Sequence, residues 1–170
     1  MIKRSLAYVV TAVFVLLITV FFAILFAVAL SKNTHATEGL VLEIKNTDSG
    51  RVYSRLPFKT GDEFAIEFVH SAHNSPVRET FKVKDGKIAP AAVRFYSFGA
   101  GMQAELEEGQ RMIRDGDALI ITGFNRAYAE LNYIVGTVSD HLLFINGECI
   151  SLRNLCGRNA HITLRVKRGK

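Results

Sequence analysis

The stretch from Ser5 to Leu30 constrains this chain most, because it is apolar and contains no charged residue. A helix rises about 1.5 Å per residue, so a run of this length crosses a hydrocarbon core of about 30 Å with some tilt. Lys3 and Arg4 stand immediately before the run. Because cationic flanks stay on the cytoplasmic side, we expect the N-terminus in the cytoplasm and the rest of the chain outside it.

The same pattern predicts four segments. Residues 1–4 form a cytoplasmic basic stub, residues 5–30 a single transmembrane anchor, residues 31–38 a short tether, and residues 39–170 an extracytoplasmic β domain with a basic tail. We therefore expect a single-pass protein of the cell membrane. A cleaved secretory signal is the alternative: such signals end in small residues, and Ala27-Val28-Ala29 offers a cleavage site after Ala29.

The chain is basic, with a formal net charge of +5 and a pI near 9.4. A positive net charge is typical of proteins that bind nucleic acid or acidic lipid. Here, however, the positive charge is concentrated at the two ends, in Lys3-Arg4 and in the tail 165–170. We therefore expect solubilising charge and no nucleic acid partner.

Apolar residues recur with period two from Leu40 onward, which is typical of half-buried strands. Turn signals such as Asp85-Gly86 and Asn146-Gly147 separate the runs. This spacing predicts an all-β fold, an antiparallel sandwich or compact barrel of about 9–11 short strands, after one N-terminal transmembrane helix. One further helix is predicted over Gln103–Met112. The candidate strands are Leu40–Ile44, Phe64–Phe68, Val77–Val83, Ala91–Phe98, Ala118–Phe124, Ala129–Val135, Leu142–Ile145, Cys149–Leu152 and Ile162–Val166.

The segment Asp62–Asp85 reads as a hairpin, with a loop over residues 71–76. In the simplest register, His70 lies opposite Val77 and Phe68 opposite Glu79. Period two then points His70 and Glu79 toward the apolar face, as a diagonal cross-strand pair. Burying either side chain without a polar partner costs free energy, so the pair is the best candidate for a site.

Two interpretations of this pair involve no metal. In the structural one, Glu79 accepts a hydrogen bond from His70 and the pair closes one end of the core. In the other, the amides and hydroxyls of the loop, with the imidazoles beside them, bind a small anion or carboxylate. The candidate groups for that site are His70, Ser71, His73, Asn74 and Ser75.

A third interpretation is a metal site, because imidazole and carboxylate suit zinc and similar ions. The weak candidate ligands are His70, Glu79 and His141, with His73 and Asp140 as further options. The same residues could serve a metal-assisted or acid–base hydrolase. The chain contains no Gly-x-Ser-x-Gly and no His-Glu-x-x-His, so we expect a protein that is not an enzyme and has no cofactor.

Two more loops carry polar candidates. Ser97, Gly99 and Gly101 end a strand, and alternate glycines permit either an anion-cradling turn or a plain bulge. Asp140 and His141 precede the strand Leu142–Ile145, where the carboxylate fits an Asx turn and the imidazole a strand edge.

Cys149 and Cys156 are the only cysteines. They flank a predicted turn, so outside the cytoplasm a disulfide between them is one expectation and two buried free thiols are the other. Two thiols are too few for a cysteine-rich zinc site.

Three of these segments together resemble the bacterial family called Domain of Unknown Function eighteen-fifty. They are His70-Ser71 with Ser75-Pro76-Val77 and Glu79, then 97–101, then Gly136 with Asp140-His141. The resemblance extends from Leu40 to Val166. Position 73 varies in that family, which implies that His73 is a poor candidate for an essential ligand.

Members of that family are often encoded beside the permease and solute-binding protein of TAXI-class tripartite (TRAP) transporters. The resemblance thus implies an extracytoplasmic accessory role, with those subunits as possible partners, and no established activity. We therefore expect a membrane-anchored accessory or interaction protein that acts by protein contact or by binding a small ligand or ion. The alternatives are the hydrolase centred on His70, Glu79 and His141, and a purely structural envelope protein.

Overall fold

A computed structural model describes residues 18–19, 39–59, 61–71, 74–97 and 105–169. The basic stub, the tether and most of the predicted anchor lie outside these residues, as do His73, Gly99 and Gly101. Ile18 and Thr19 are helical. The described residues include no helix with the length and hydropathy that a membrane span needs. The chain divides into two units, residues 1–37 and residues 38–170.

The second unit is a β-sandwich of two antiparallel sheets, so the expected all-β class of this domain is confirmed. One sheet has four strands in the order β2-β1-β11-β8, and the other has seven in the order β10-β9-β3-β4-β5-β7-β6. A short helix, α1, follows β10. The elements are β1 Leu40–Asn46, β2 Val52–Phe58, β3 Glu63–His70, β4 Ser75–Lys84, β5 Lys87–Phe95, β6 Arg111–Asp115, β7 Ala118–Thr122, β8 Glu130–Ile134, β9 His141–Ile145, β10 Glu148–Ser151, α1 Leu152–Cys156 and β11 His161–Arg168.

The main core forms where the alternate apolar residues of the two sheets meet. Leu42 and Ile44 of β1 are fully buried and belong to one cluster with Phe64 of β3. The Phe64 ring stacks on Phe81 with centroids 5.3 Å apart and meets Phe58 of the other sheet edge-on at 5.8 Å. Each fully buried side chain of this size contributes roughly 1.5–3 kcal/mol.

Two hairpins follow the turn chemistry that the sequence indicated. Asp85 and Gly86 join β4 to β5 with φ of 52° and 71°, and Asn146 and Gly147 join β9 to β10 with φ of 53° and 78°. Positive φ at both central residues is the type I′ geometry, which matches the twist of antiparallel strands.

Glu43 is a fully buried carboxylate on the outer face of the four-stranded sheet. Arg55 Nε of β2 donates to it at 2.8 Å, Arg165 Nη2 of β11 at 2.7 Å, and Lys167 Nζ lies 3.3 Å away. Burial by itself would raise the pKa of Glu43, but the hydrogen bonds from these three cations outweigh it and lower the pKa to about 2.

The predicted helix over Gln103–Met112 is wrong in its described part, because residues 105–110 are not helical and Met112 lies in β6. Two strands, β2 and β6, were not among the candidates. Both are edge strands of their sheets. An edge strand buries little and tolerates Pro, as β2 does at Pro57, so its apolar alternation is weak.

Candidate functional site

The inner face of the seven-stranded sheet carries a carboxylate within its apolar surface. Glu79 of β4 lies between Ile66 of β3 and Val93 of β5. Residues that pair directly across neighbouring strands share one face, so Glu79 points to the same side as these two residues. Burial therefore raises the pKa of the Glu79 carboxyl, against a hydrogen bond from Tyr133 that lowers it.

Tyr133 connects this carboxylate to the other sheet. It lies in β8, and its Oη donates to Glu79 Oε2 at 2.5 Å. Burial, and then the neighbouring carboxylate, raise the pKa of the Tyr133 hydroxyl, so the phenol keeps its proton and remains a donor. Glu79 thus has one fixed partner from the opposite sheet, as a buried polar group requires.

His141 lies beside the Tyr133–Glu79 pair, at the start of β9. Its ring stacks on Phe68 with centroids 5.0 Å apart and meets the Tyr133 ring edge-on at 6.0 Å. The Gly136 backbone N–H donates to His141 Nδ1 at 3.1 Å. This bond assigns the proton of the neutral imidazole to Nε2.

Asp140 holds α1 against the loop before β9. It accepts from Ser151 Oγ at 2.5 Å and from the Arg153 backbone N–H at 3.0 Å, while Arg153 Nη2 donates to the Gly136 carbonyl at 3.2 Å. Burial lowers the pKa of His141, Asp140 opposes that shift, and Arg153 adds to it. Asp140 therefore has a structural role beside the site, and burial favours a neutral His141.

A cavity of about 300 Å³ lies above Glu79, and we call it the Glu79 cavity. Its floor is the inner face of β3, β4, β5 and β7, and its other walls come from residues 107–110 and 124–128. Glu107 and Arg126 form an ion pair there with side chains 47% and 59% exposed, so they mark the mouth. The aromatic lining residues are Phe68, Phe81, Phe95, Phe124 and Tyr128.

The polar candidates of the hairpin divide into two groups. His70 lines the Glu79 cavity. Ser75 pairs with His70 across the strands, and its Oγ lies 3.5 Å from Ser97 Oγ, so these three residues form one polar end of the inner face. Ser71 and Asn74 are exposed residues of the turn, where the Asn74 backbone N–H donates to the His70 carbonyl and φ is 46°.

The predicted register of this hairpin is wrong by two residues. Ile66, not Phe68, lies opposite Glu79, and Ser75, not Val77, lies opposite His70. The predicted loop ran through Pro76, whereas β4 already begins at Ser75. Pro76 is tolerated because the β4–β5 ladder begins only at Arg78, so its missing N–H faces no partner strand there.

This shift overturns the diagonal His70–Glu79 pair. The two residues stand four positions apart along the sheet, about 13 Å at 3.3 Å per residue. The carboxylate accepts from Tyr133 instead. A shift of two positions preserves which face a side chain occupies, so both residues still share the inner face and line the Glu79 cavity.

The weak metal candidates are not brought together. The described part of the chain contains no group of three or more His, Cys, Asp or Glu side chains that could hold a metal ion. His141 offers Nδ1 to the Gly136 N–H, and Glu79 offers Oε2 to Tyr133. One atom of each of these two side chains is thus already engaged in a hydrogen bond within the protein.

Cys149 and Cys156 are free cysteines in the structure, so the disulfide expectation is not met. Cys149 of β10 is exposed, whereas Cys156 at the end of α1 packs against the main core. The two side chains therefore lie in different environments. Burial raises the pKa of the Cys156 thiol to about 11.

Tyr133, Arg126 and Glu107 were not among the candidates. Tyr133 had a usable signal, because it alternates with Leu131 and Val135 in a predicted strand and so carries a hydroxyl into the core. Arg126 and Glu107 had none, since an ion pair between two loops depends on the tertiary fold.

A model of the family described as domain of unknown function (DUF1850) matches residues 64–152, just over half of the chain. The matched region contains Glu79, Tyr133, His141 and all the described lining residues of the Glu79 cavity. The curated proteins include no match to the chain, and neither do the solved structures.

Proposed function

We propose that this chain, which belongs to the domain of unknown function (DUF1850) family, binds a small solute through its β domain. The binding site is the Glu79 cavity. The domain acts as an accessory protein of solute uptake on the outer side of the cell membrane. The single observation that carries the binding role is a mostly apolar cavity with a half-buried, hydrogen-bonded carboxylate at its floor.

The size and lining of the cavity support this role. Ligand pockets begin at roughly 300 Å³ and combine apolar walls with a few polar groups that orient the ligand. The Glu79 cavity has about this volume. Its apolar walls include Val77, Val93 and Ile121, and its orienting groups are Glu79, His70 and Gln110.

The location outside the cytoplasm is part of the same proposal. It is supported by the apolar run from Ser5 to Leu30 and the cations that precede it. The family resemblance supports the link to a tripartite TAXI-class transporter and its membrane or solute-binding subunits. A single anchor would hold the binding domain in the plane of the permease, where its effective concentration is high.

Binding is preferred here to hydrolysis. A hydrolase needs a base and a nucleophile within hydrogen-bond reach of one substrate atom. His70 and Glu79 stand about 13 Å apart along the sheet, and His141 Nδ1 is held by the Gly136 N–H. A purely structural role explains the Tyr133–Glu79 hydrogen bond, but it does not explain why a cavity lies beside that bond.

A thermal-shift screen of the full chain in mild detergent tests the proposal. The panel contains small organic amines, carboxylates and neutral alcohols at millimolar concentration. We expect at least one class to raise the melting temperature, since a ligand at a hundred times its Kd adds about 2.7 kcal/mol to the stability.

Two variants on neighbouring positions of β5 show whether the ligand occupies the cavity. Val93→Phe places a larger side chain into the Glu79 cavity and should abolish the shift. Ala92→Phe puts the same ring on the opposite face of the strand and should preserve it. A panel without effect on the wild type, or a shift that Val93→Phe retains, would overturn the proposal.

A further inference from the structure

We propose that the solute of the Glu79 cavity is a small organic ammonium cation, held between the aromatic side chains of the cavity and the Glu79 carboxylate. This inference rests on the proposed function, because it names the chemical class that the same cavity binds. The observation behind it is the combination of five aromatic rings with the half-buried Glu79 carboxylate in a small volume.

The rings of the cavity come from both of its sides. Phe68 comes from β3, Phe81 from β4 and Phe95 from β5, so three neighbouring strands contribute to the floor. Phe124 and Tyr128 come from the segment after β7 and contribute to the opposite wall. Aromatic faces attract a cation within about 6 Å of the ring centroid, and sets of rings are a common way to bind alkylated ammonium groups.

The charges that line the cavity favour a cationic ligand. The formal charges among the lining residues are those of Glu79, Glu107 and Arg126. Glu107 and Arg126 form an ion pair with each other at the mouth, so their charges offset. Among the described lining residues, the charge that remains is that of Glu79, which opposes an anionic ligand and favours a cation.

The ionised form of Glu79 needs a positive charge beside it. A carboxylate among apolar residues is costly to ionise without a countercharge. The hydroxyl of Tyr133 supplies one hydrogen bond and no charge. An ammonium group beside the same carboxylate would supply the missing positive charge, while its alkyl groups would contact the phenylalanine rings.

Three probes of nearly equal shape separate the ligand classes. Choline carries a cationic trimethylammonium head, 3,3-dimethyl-1-butanol replaces it by a neutral tert-butyl group, and 3,3-dimethylbutanoate is the anionic counterpart. Binding is measured by isothermal titration to the full chain in mild detergent. We expect choline to bind at least about tenfold more tightly than the neutral probe and the anion to bind most weakly.

The variants assign the preference to Glu79. Glu79→Gln keeps the shape and an acceptor for Tyr133, so it should lose about tenfold in choline affinity while the neutral probe changes less than about twofold. Glu107→Gln, at the exposed mouth, is the matched control and should retain the preference for choline. Val93→Phe should weaken all the probes that bind.

Failure of this inference differs from failure of the proposed function. If the neutral or the anionic probe binds as tightly as choline and Val93→Phe abolishes that binding, the cation is wrong and the cavity is still a binding site. If choline does not bind at millimolar concentration, or binds equally well to Glu79→Gln, the inference is also overturned. Binding that Val93→Phe leaves intact would overturn both proposals.

Discussion

The hydroxyl of Tyr133 in β8 donates to Oε2 of Glu79 in β4 at 2.5 Å and so links the two sheets through a half-buried carboxylate. The two residues are separated by 54 positions in the chain. Glu79 is also one of the residues that line the cavity, so the hydrogen bond lies at the cavity wall. The polar group that stabilises the sandwich at this point is therefore also the group that a ligand would meet.

Tyr133→Phe removes the donor and leaves the Glu79 carboxyl buried without it. Loss of one partner of a buried polar pair costs about 1–3 kcal/mol, so the free energy of unfolding should fall by that amount. Urea unfolding of the full chain in detergent, followed by circular dichroism, measures it. Tyr96→Phe is the control, because Tyr96 is an exposed tyrosine and should change the stability by less than about 0.5 kcal/mol. Equal effects of the two substitutions would contradict a specific role of the Tyr133 bond.

Burial raises the pKa of Glu79 in the folded protein above its ordinary value of 4.5. The folded state therefore binds the proton more tightly than the unfolded state does. The stability that the Glu79 carboxyl contributes is therefore fully present below pH 4.5, and it is lost as the pH rises through the pKa of Glu79 in the folded protein. Glu79→Gln stays neutral and should remove this decline. The free energy of unfolding measured against pH for both proteins checks it, and parallel curves would contradict it.

Other charged and titratable groups face the same region and must be kept in that comparison. Tyr133 donates to Glu79, and His70, Glu107 and Arg126 line the same cavity. The ring of His141 lies 6.0 Å from that of Tyr133. All of these remain in Glu79→Gln, so the difference between the two curves isolates the carboxyl group of Glu79.

Glu43 should show the opposite pH dependence. Its folded pKa is about 2, so its contribution is present above the ordinary value of 4.5 and is lost as the pH falls toward 2. Glu43→Gln leaves Arg55, Arg165 and Lys167 without their shared carboxylate and should cost about 2–4 kcal/mol at neutral pH. Glu130→Gln, an exposed acid in the same sheet, is the control. Similar acid-unfolding midpoints for both variants would argue against a central role of Glu43.

Gly136 lies where no side chain fits. A Cβ at this position would stand 2.2 Å from the Ser139 carbonyl oxygen and 3.5 Å from His141 Nδ1. Gly136→Ala should therefore displace the loop and destabilise the domain by on the order of 2–4 kcal/mol, measured by thermal unfolding. Gly39→Ala is the control, because nothing lies within 4 Å of its added Cβ. A Gly136→Ala variant as stable as Gly39→Ala would contradict this geometry.

The sequence predicts the central strands well because their periodicity is a direct result of burial. Phe64 and Ile66 of β3 are fully buried, as period two requires. Two of the four edge strands, β2 and β6, were missed for the opposite reason. β6 is mostly exposed, and its residues resemble a surface helix as much as a strand. Edge position is decided by the sheet order, which local pattern does not encode.

The candidate site could be predicted only in part. The direction of Glu79 and His70 survives a two-residue error in register, because side chains alternate with period two. The partner of Glu79 could not be predicted, since Tyr133 lies in the other sheet. The cavity also depends on residues 107–110 and 124–128, which meet over the sheet only after the chain has folded.

Native mass spectrometry of the full chain, purified in mild detergent from the cells that produce it, tests the central claim most directly. The account predicts a wild-type protein that carries a bound small molecule, an Ala92→Phe variant that carries it as well, and a Val93→Phe variant that does not. A wild-type spectrum that shows only the bare chain, or the same adduct retained by Val93→Phe, would contradict binding in the Glu79 cavity.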